Sequence, residues 1–147
     1  MGKFDFQMDP ELVAELQKLA DYDGIAKGML QACEPDVIAA VKAECQNHVE
    51  TAAMVNSVKS TGIKKNQYGY YAIVRPTGTG KLFKRDKKSR RRIPLRNMEK
   101  LAWLEYGYTK QSGKKIAPKA ILTKAVNEVY PKCMKKMQEE YDRKAGK

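Results

Sequence analysis

Glu105 is the side chain whose surroundings in this sequence most suggest acid–base chemistry. It lies in the apolar, aromatic segment LAWLEYGY at 101–108, and apolar surroundings favour the protonated form of a carboxyl group, the form that a general acid requires. No second carboxylate in a matching motif, no nearby histidine and no nucleophile motif accompanies it. We therefore expect Glu105 to pair with a lysine or arginine or to cap backbone amides, and we identify no catalytic residue.

The segment RPTGTGKLF at 75–83 resembles part of a phosphate-binding loop, because Gly78 and Gly80 precede Lys81. A Walker A loop needs a glycine five residues before its second glycine and a serine or threonine after its lysine. Arg75 and Leu82 hold those two positions. The sequence therefore does not predict nucleotide binding.

Cys45 and His48 are three residues apart and would share one face of a helix, as two metal ligands could. A zinc site needs four ligands, or three and a water molecule, whereas this chain has one histidine and no CxxC motif. Its three cysteines are odd in number and widely spaced, which is a poor disulfide framework and typical of a reducing compartment. We predict no metal and no cofactor.

Most of the net charge of +12 is concentrated in one segment. Residues 81–96, KLFKRDKKSRRRIPLR, hold nine lysines or arginines and one aspartate, a net charge of +8 that leaves +4 for the rest of the chain. This stretch has no apolar periodicity, so we expect a long, flexible basic loop over 76–96. Its candidate residues for contact with DNA or a partner protein are Lys84, Arg85, Lys87, Lys88, Arg90, Arg91 and Arg92.

The elements around these residues predict an α+β fold in a single domain over 1–147. Asp9 and Pro10 indicate the start of a first helix, and a second helical region from Gly24 is expected to break near Pro35. Alternating β-branched and aromatic residues over 58–63 and 68–74 predict an antiparallel hairpin that is widened at Gly69.

A short helix and a long C-terminal helix complete the predicted fold. Asn97 is expected to cap the short helix, with Trp103 contributing to the core, and Gly107 to follow its last turn with a positive φ. Pro118 is expected to start the long helix, Pro131 to kink it, and residues 142–147 to fray. The clustered tyrosines are expected to pack in the core or at an interface.

Length and composition agree with one globular domain. Hydrophobic residues make up 42% of the chain and charged residues 31%. No apolar run reaches the roughly 20 residues that a membrane-spanning helix needs, and the acidic start MGKFDFQMDPEL lacks the features of a signal peptide. We expect no membrane partner.

Two segments resemble motifs of one family. HVETAAMVNSVKS at 48–60 resembles the pattern P-V-D-T-G-x-L-x-x-S-I, and AWLEYGYTKQSGKKIAPKAILTKAV at 102–126 resembles Y-x-x-x-x-E-[FY]-G-T followed by P-F-L-x-x-A-L. Both patterns occur, in this order, in the minor-tail or tail-completion proteins of long-tailed bacteriophages, also called head–tail joining or neck proteins. Ala52 replaces the glycine of the first pattern, Lys119 replaces the phenylalanine of the second, and the basic insertion is longer than usual.

This resemblance implies a structural virion protein and no enzyme. Such proteins are made in the cytoplasm of the bacterial host and form a ring, usually taken as six-fold, that caps the tail tube and joins it to the head-side connector around the DNA channel. The implied partners are further copies of the chain, the tail tube protein, the connector or stopper protein, and genomic DNA in the lumen. The candidate residues of the subunit contact are Glu105, Tyr106, Gly107, Tyr108 and Pro118.

Two alternatives to this reading remain open. A free-standing basic protein that binds DNA or RNA would bind tightly as a monomer and would form no ring. An enzyme is the third possibility, for which the sequence offers no catalytic constellation.

Overall fold

A computed structural model describes residues 9–16, 22–47, 52–86, 88–110 and 112–145. The α+β fold that the sequence predicts is confirmed. The helices are α1 (Pro10–Leu16), α2 (Tyr22–Gln46), α3 (Ala52–Asn56), α4 (Asn97–Tyr106) and α5 (Ile121–Ala145). The strands are β1 (Val58–Ser60), β2 (Lys64–Asn66), β3 (Gly69–Tyr71), β4 (Val74–Pro76), β5 (Thr79–Arg85), β6 (Arg92–Arg96), β7 (Tyr108–Thr109) and β8 (Lys115–Ile116).

The core lies where α2 packs along α5. Both helices bury one apolar stripe, and the thiol of Cys33 donates a hydrogen bond to the carbonyl oxygen of Cys133 at 3.3 Å. Helix α2 runs without a break through Pro35, so the predicted interruption is wrong. An internal proline costs a helix about 3 kcal/mol, but Cys33 and Val37 are buried on either side of it, and this packing holds the helix together.

Helix α5 differs from the prediction at its start. It begins at Ile121 rather than at Pro118, and it continues through Pro131 to Ala145. Residues 142–145 are helical, 146 and 147 lie outside the described residues, and the fraying of this end stays a prediction. Two contacts hold this last turn: Arg143 pairs with Glu140, and the ammonium of Lys144 donates to the carbonyl oxygen of Gly24 at 2.7 Å.

The predicted hairpin over 58–74 is confirmed. β1 pairs with β4 and β2 with β3, both antiparallel, across a turn at Gln67 and Tyr68. The irregularity is not at Gly69: between the two paired stretches, the three residues 61–63 lie opposite the two residues 72–73. Thr61 N–H donates to the carbonyl oxygen of Ile73 at 2.9 Å and keeps the strands together there.

The expected loop over 76–96 is largely a second antiparallel hairpin, formed by β5 and β6, so that prediction is wrong. Only residues 86–91 form its connecting loop, of which Lys87 lies outside the described residues. Apolar periodicity is absent because one face of the hairpin is solvent-exposed and cationic, and backbone pairing does not require apolar side chains. We call residues 79–96 the basic hairpin.

A third, short hairpin joins α4 to α5, with β7 antiparallel to β8. Among the helices of the described residues, none is both long enough and apolar enough to cross a membrane.

Candidate functional site

Glu105 holds the start of α5. Its side chain is buried (9% exposed), and its Oε2 accepts a hydrogen bond from the backbone N–H of Leu122 at 2.7 Å, while Oε1 accepts one from the hydroxyl of Thr123 at 2.8 Å. A carboxylate at a helix N-terminus satisfies an otherwise unpaired amide and interacts favourably with the helix dipole. Of the two roles expected for Glu105, ion pairing and the capping of backbone amides, the structure shows the capping.

This contact is needed because the residue at the cap position of α5 is an alanine. The carbonyl oxygen of Ala120 accepts the first intrahelical hydrogen bond, from Lys124 N–H at 3.0 Å, which makes Ala120 the N-cap residue. Its methyl side chain cannot accept a bond from the first-turn amides. Glu105, from the last turn of α4, replaces the missing acceptor, and it thereby ties the two helices together.

Gly107 allows the chain to turn between α4 and β7. Its φ is 75°, as predicted for the residue after the short helix, and a Cβ atom there would lie 2.5 Å from the carbonyl oxygen of Ile116 and 3.0 Å from the nitrogen of Pro118. Pro118 therefore lies against Gly107 rather than inside α5. Next to it, Lys119 N–H donates to the carbonyl oxygen of Leu104 at 2.7 Å. We call Glu105, Gly107, Pro118 and the first turn of α5 the helix joint.

Aromatic side chains next to the helix joint are exposed. Tyr106 is 61% exposed and Trp103 is 39% exposed, so the predicted core position of Trp103 is wrong. The ring of Trp103 stacks on that of Tyr108, with centroids 5.3 Å apart and planes inclined by 27°. Trp103 and Tyr106 are neighbours on α4 because they are three residues apart. We call Trp103, Tyr106 and Tyr108 the aromatic patch.

The basic hairpin is attached to the other end of α4. Lys84 pairs with Glu99 at 2.7 Å, so Lys84 anchors the hairpin. Asn97 does not cap α4 as predicted; its N–H donates to the carbonyl oxygen of Gly78 at 3.0 Å and its side-chain amide to that of Thr77 at 2.8 Å. α4 has ten residues, and at 1.5 Å per residue its two ends are about 15 Å apart.

Six further cationic residues of the basic hairpin are exposed, among those whose burial the structure describes. They are Arg85, Lys88, Arg90, Arg91, Arg92 and Arg96. Sequence reasoning missed Phe83, which is 55% exposed and lies under the guanidinium of Arg92, whose central carbon is 5.4 Å from the ring centroid. The sequence does contain a signal for this residue, because Phe83 is the one aromatic residue within a run of lysines and arginines.

The cysteines lie in the core of the protein. All three are buried free thiols. Burial raises the pKa of Cys33 to about 12 and that of Cys45 to about 11, so both are protonated at neutral pH. His48, the other member of the considered metal pair, lies outside the described residues, and no group of three potential ligands occurs in the part of the chain that the structure describes.

The structure also contains an ion-pair cluster that the sequence did not reveal. Asp36 of α2 accepts a hydrogen bond from Lys132 of α5 at 2.8 Å and pairs with Lys136 one turn later. Hydrogen bonding to Lys132 and Lys136 holds the pKa of the Asp36 carboxyl below its usual range. A cavity of about 30 Å³ nearby, lined by Leu30, Cys33, Val37 and Met137 among others, has room for one or two water molecules and not for a substrate.

Comparisons of this chain with models of protein families, with curated proteins and with solved structures find no match.

Proposed function

We propose that this chain is a structural protein of a long-tailed bacteriophage virion, a tail-completion or neck component that caps the tail tube as an oligomeric ring. The ring, usually six-fold in proteins of this kind, joins the tail to the head-side connector or stopper protein around the DNA channel. The protein is made in the cytoplasm of the host bacterium and works without catalysis.

The helix joint is the observation that carries this proposal. In the E-Y-G segment that resembles the family motif, Glu105 caps α5, Gly107 makes the turn, and Tyr106 is left exposed. A rigid connection between two helices accounts for the residue types of this segment, and a reacting centre is not needed to account for them. The order of helices, hairpin, E-Y-G segment and C-terminal helix also agrees with the resemblance.

The aromatic patch is the candidate surface for contact between subunits. Tyrosine and tryptophan are enriched in protein interfaces, and the stack of Trp103 on Tyr108 holds both rings in a fixed arrangement beside Tyr106. A closed ring requires contact between two different surfaces of neighbouring copies. Glu105 is buried, so its part in that contact is to position the patch.

The test is self-association measured by light scattering, and by electron microscopy with purified tail tubes. We expect the wild-type chain to form rings at rising concentration or at tube ends, and Tyr106→Lys to reduce ring formation. Tyr68→Lys is the matched control, because Tyr68 is 78% exposed in the turn of the first hairpin, outside the patch. A wild-type chain that neither self-associates nor binds tube ends contradicts the proposal.

The second candidate function is that of a free-standing nucleic-acid-binding protein. The exposed cations of the basic hairpin favour it. It predicts tight binding by a monomer and the same monomeric state at every protein concentration, in the presence and absence of tail tubes.

A further inference from the structure

The two faces of the basic hairpin have different environments. Residues that lie directly opposite each other in an antiparallel pair share a face, so the pairs Phe83–Pro94 and Arg85–Arg92 form one face and Lys84–Ile93 the other. All four members of the first face are exposed. We call it the outer face.

The inner face is fixed to the body of the protein. Leu95, on the same side of β6 as Ile93, is 1% exposed, and Lys84 pairs with Glu99 of α4. Asn97 adds to this attachment, because its N–H donates to the carbonyl oxygen of Gly78 and its side-chain amide to that of Thr77. The outer face is therefore held toward the solvent.

The outer face carries a charge arrangement that is unfavourable in the free protein. Arg85 and Arg92 lie directly opposite each other, and like charges in such a pair are destabilising. In the described part of the chain, neither guanidinium is within ion-pair distance of a carboxylate. Arg92 is instead held over the ring of Phe83. A bound anion between the two arginines would remove this repulsion.

The tip of the hairpin is ordered by its acidic residue. Asp86 accepts hydrogen bonds from the N–H of Ser89 at 2.9 Å and from its hydroxyl at 2.6 Å, and Asp86 N–H donates to the carbonyl oxygen of Arg91 at 2.9 Å. This turn places Arg90 at a φ of 56°, in the left-handed region. The carboxylate thus organises the turn, and Lys88, Arg90 and Arg91 are all exposed around it.

We propose that the basic hairpin binds duplex DNA through its phosphates, by means of the outer face and the tip. A two-stranded β-ribbon fits the major groove of B-DNA, which is about 12 Å wide. Exposed cations lie on one face of the ribbon, at Arg85 and Arg92, and at its end, so they can contact phosphates on both sides of a groove. The contacts are with phosphates, so we expect little sequence preference. This inference rests on the proposed function in that it specifies its DNA contact, and it is argued from the geometry and the charges of the hairpin.

The experiment is a fluorescence anisotropy titration of a labelled duplex of mixed sequence at several salt concentrations. Each phosphate contact contributes about 0.9 to the slope of log K against log salt, or roughly eightfold in affinity at 0.1 M salt. We expect the triple variant Arg90→Gln, Arg91→Gln, Arg92→Gln to lower the slope by about 2.7 and the affinity at 0.1 M salt by roughly 500-fold. The triple variant Lys59→Gln, Lys64→Gln, Lys124→Gln removes three exposed cations outside the hairpin and is the matched control.

A second variant separates DNA binding from folding. Arg85→Glu places opposite charges at the Arg85–Arg92 position, so it should leave the unfolding temperature unchanged or raised while weakening DNA binding by at least about eightfold at 0.1 M salt. Circular dichroism checks that each variant is folded.

Several outcomes overturn the inference: no binding by wild type at low salt, equal losses in the two triple variants, or unchanged binding by Arg85→Glu. Tighter binding of the single strand than of the duplex, or of polyglutamate than of DNA, also overturns it. Light scattering on the same samples distinguishes the two proposals. Rings without DNA binding contradict only the hairpin assignment, whereas DNA binding by a chain that never assembles, even on tail tubes, contradicts only the proposed function.

Discussion

Replacement of Glu105 by alanine is the most direct test of the helix joint. The substitution removes both acceptors at once, so that the amide of Leu122 and the hydroxyl of Thr123 lose their partner. Ala120 offers no substitute, because its side chain has no hydrogen-bond acceptor. The variant therefore begins α5 with an uncapped first turn in a buried position.

The expected loss follows from the contacts. A hydrogen bond to a charged group contributes about 1.5–3 kcal/mol, and a carboxylate at a helix N-terminus contributes roughly another 0.3–1 kcal/mol. Glu105 is only 9% exposed, so solvent screens these interactions little. We expect the free energy of unfolding to fall by about 3 kcal/mol. For a chain of this length that is a decrease of roughly 10 °C in Tm.

Urea denaturation and thermal unfolding, both followed by circular dichroism, measure this loss. Glu105→Gln keeps a neutral acceptor for the Leu122 amide and should lose only about 1 kcal/mol. Glu128→Ala makes the same deletion at an exposed position of α5 and should change stability by less than about 0.5 kcal/mol. If Glu105→Ala is as stable as Glu128→Ala, the capping argument is refuted. Because Glu105 positions the aromatic patch, we expect any loss of self-association in Glu105→Ala to accompany its loss of stability.

Three further predictions concern a glycine with a positive φ, an ion pair and a buried thiol. Gly107→Ala should destabilise by more than about 1 kcal/mol, because of its positive φ and because its Cβ would lie 2.5 Å from the carbonyl oxygen of Ile116; unfolding curves equal to those of wild type would contradict this. The folded-state pKa of Asp36 is depressed, so its stabilisation is present above the ordinary value of 3.8 and is lost as pH falls through the folded value; the deficit of Asp36→Asn at pH 7 should therefore vanish in strong acid, and a deficit that stays constant with pH would refute the ion pairing. Cys33 is buried and its pKa is raised to about 12, so it should react with a thiol reagent at pH 8 only as fast as the protein opens; rapid labelling of the native protein would show that the site is accessible.

The parts of the site that could be predicted from sequence depend on local signals. Gly107 follows the last turn of an apolar helix and has the positive φ expected of that position. Asp9 accepts a bond from Glu11 N–H at 2.9 Å, as its place before Pro10 predicts. Amide capping by Glu105 was one of two roles expected from an acid without a catalytic partner. At Gly107 and Asp9, neighbouring residues in the chain determine the outcome, whereas the amide that Glu105 caps is 17 residues away and could not be identified from the sequence.

The parts that could not be predicted depend on contacts distant in sequence. Pro118 has the local character of a helix start, but its approach to Gly107 and the cap from Glu105 place the helix start at Ile121. Pro35 has the local character of a helix break, and packing against α5 overrides it. The basic hairpin shows no apolar alternation, since its strands are stabilised by pairing with each other and by attachment to α4.

The two ends of the short hairpin between α4 and α5 are held together by hydrogen bonds that do not involve the residues at its tip. Lys119 N–H donates to the carbonyl oxygen of Leu104, and Leu122 N–H donates to the carboxylate of Glu105. These bonds join the segment before the hairpin to the segment after it. At the tip, a Cβ on Gly113 would meet nothing within 4 Å. When the ends of a loop are fixed, a doubling of its length costs only about 0.6 kcal/mol. An epitope or a gold-binding peptide inserted beside Gly113 should therefore leave both helices folded. Such a label would allow the position of the subunit in a larger particle to be determined by electron microscopy.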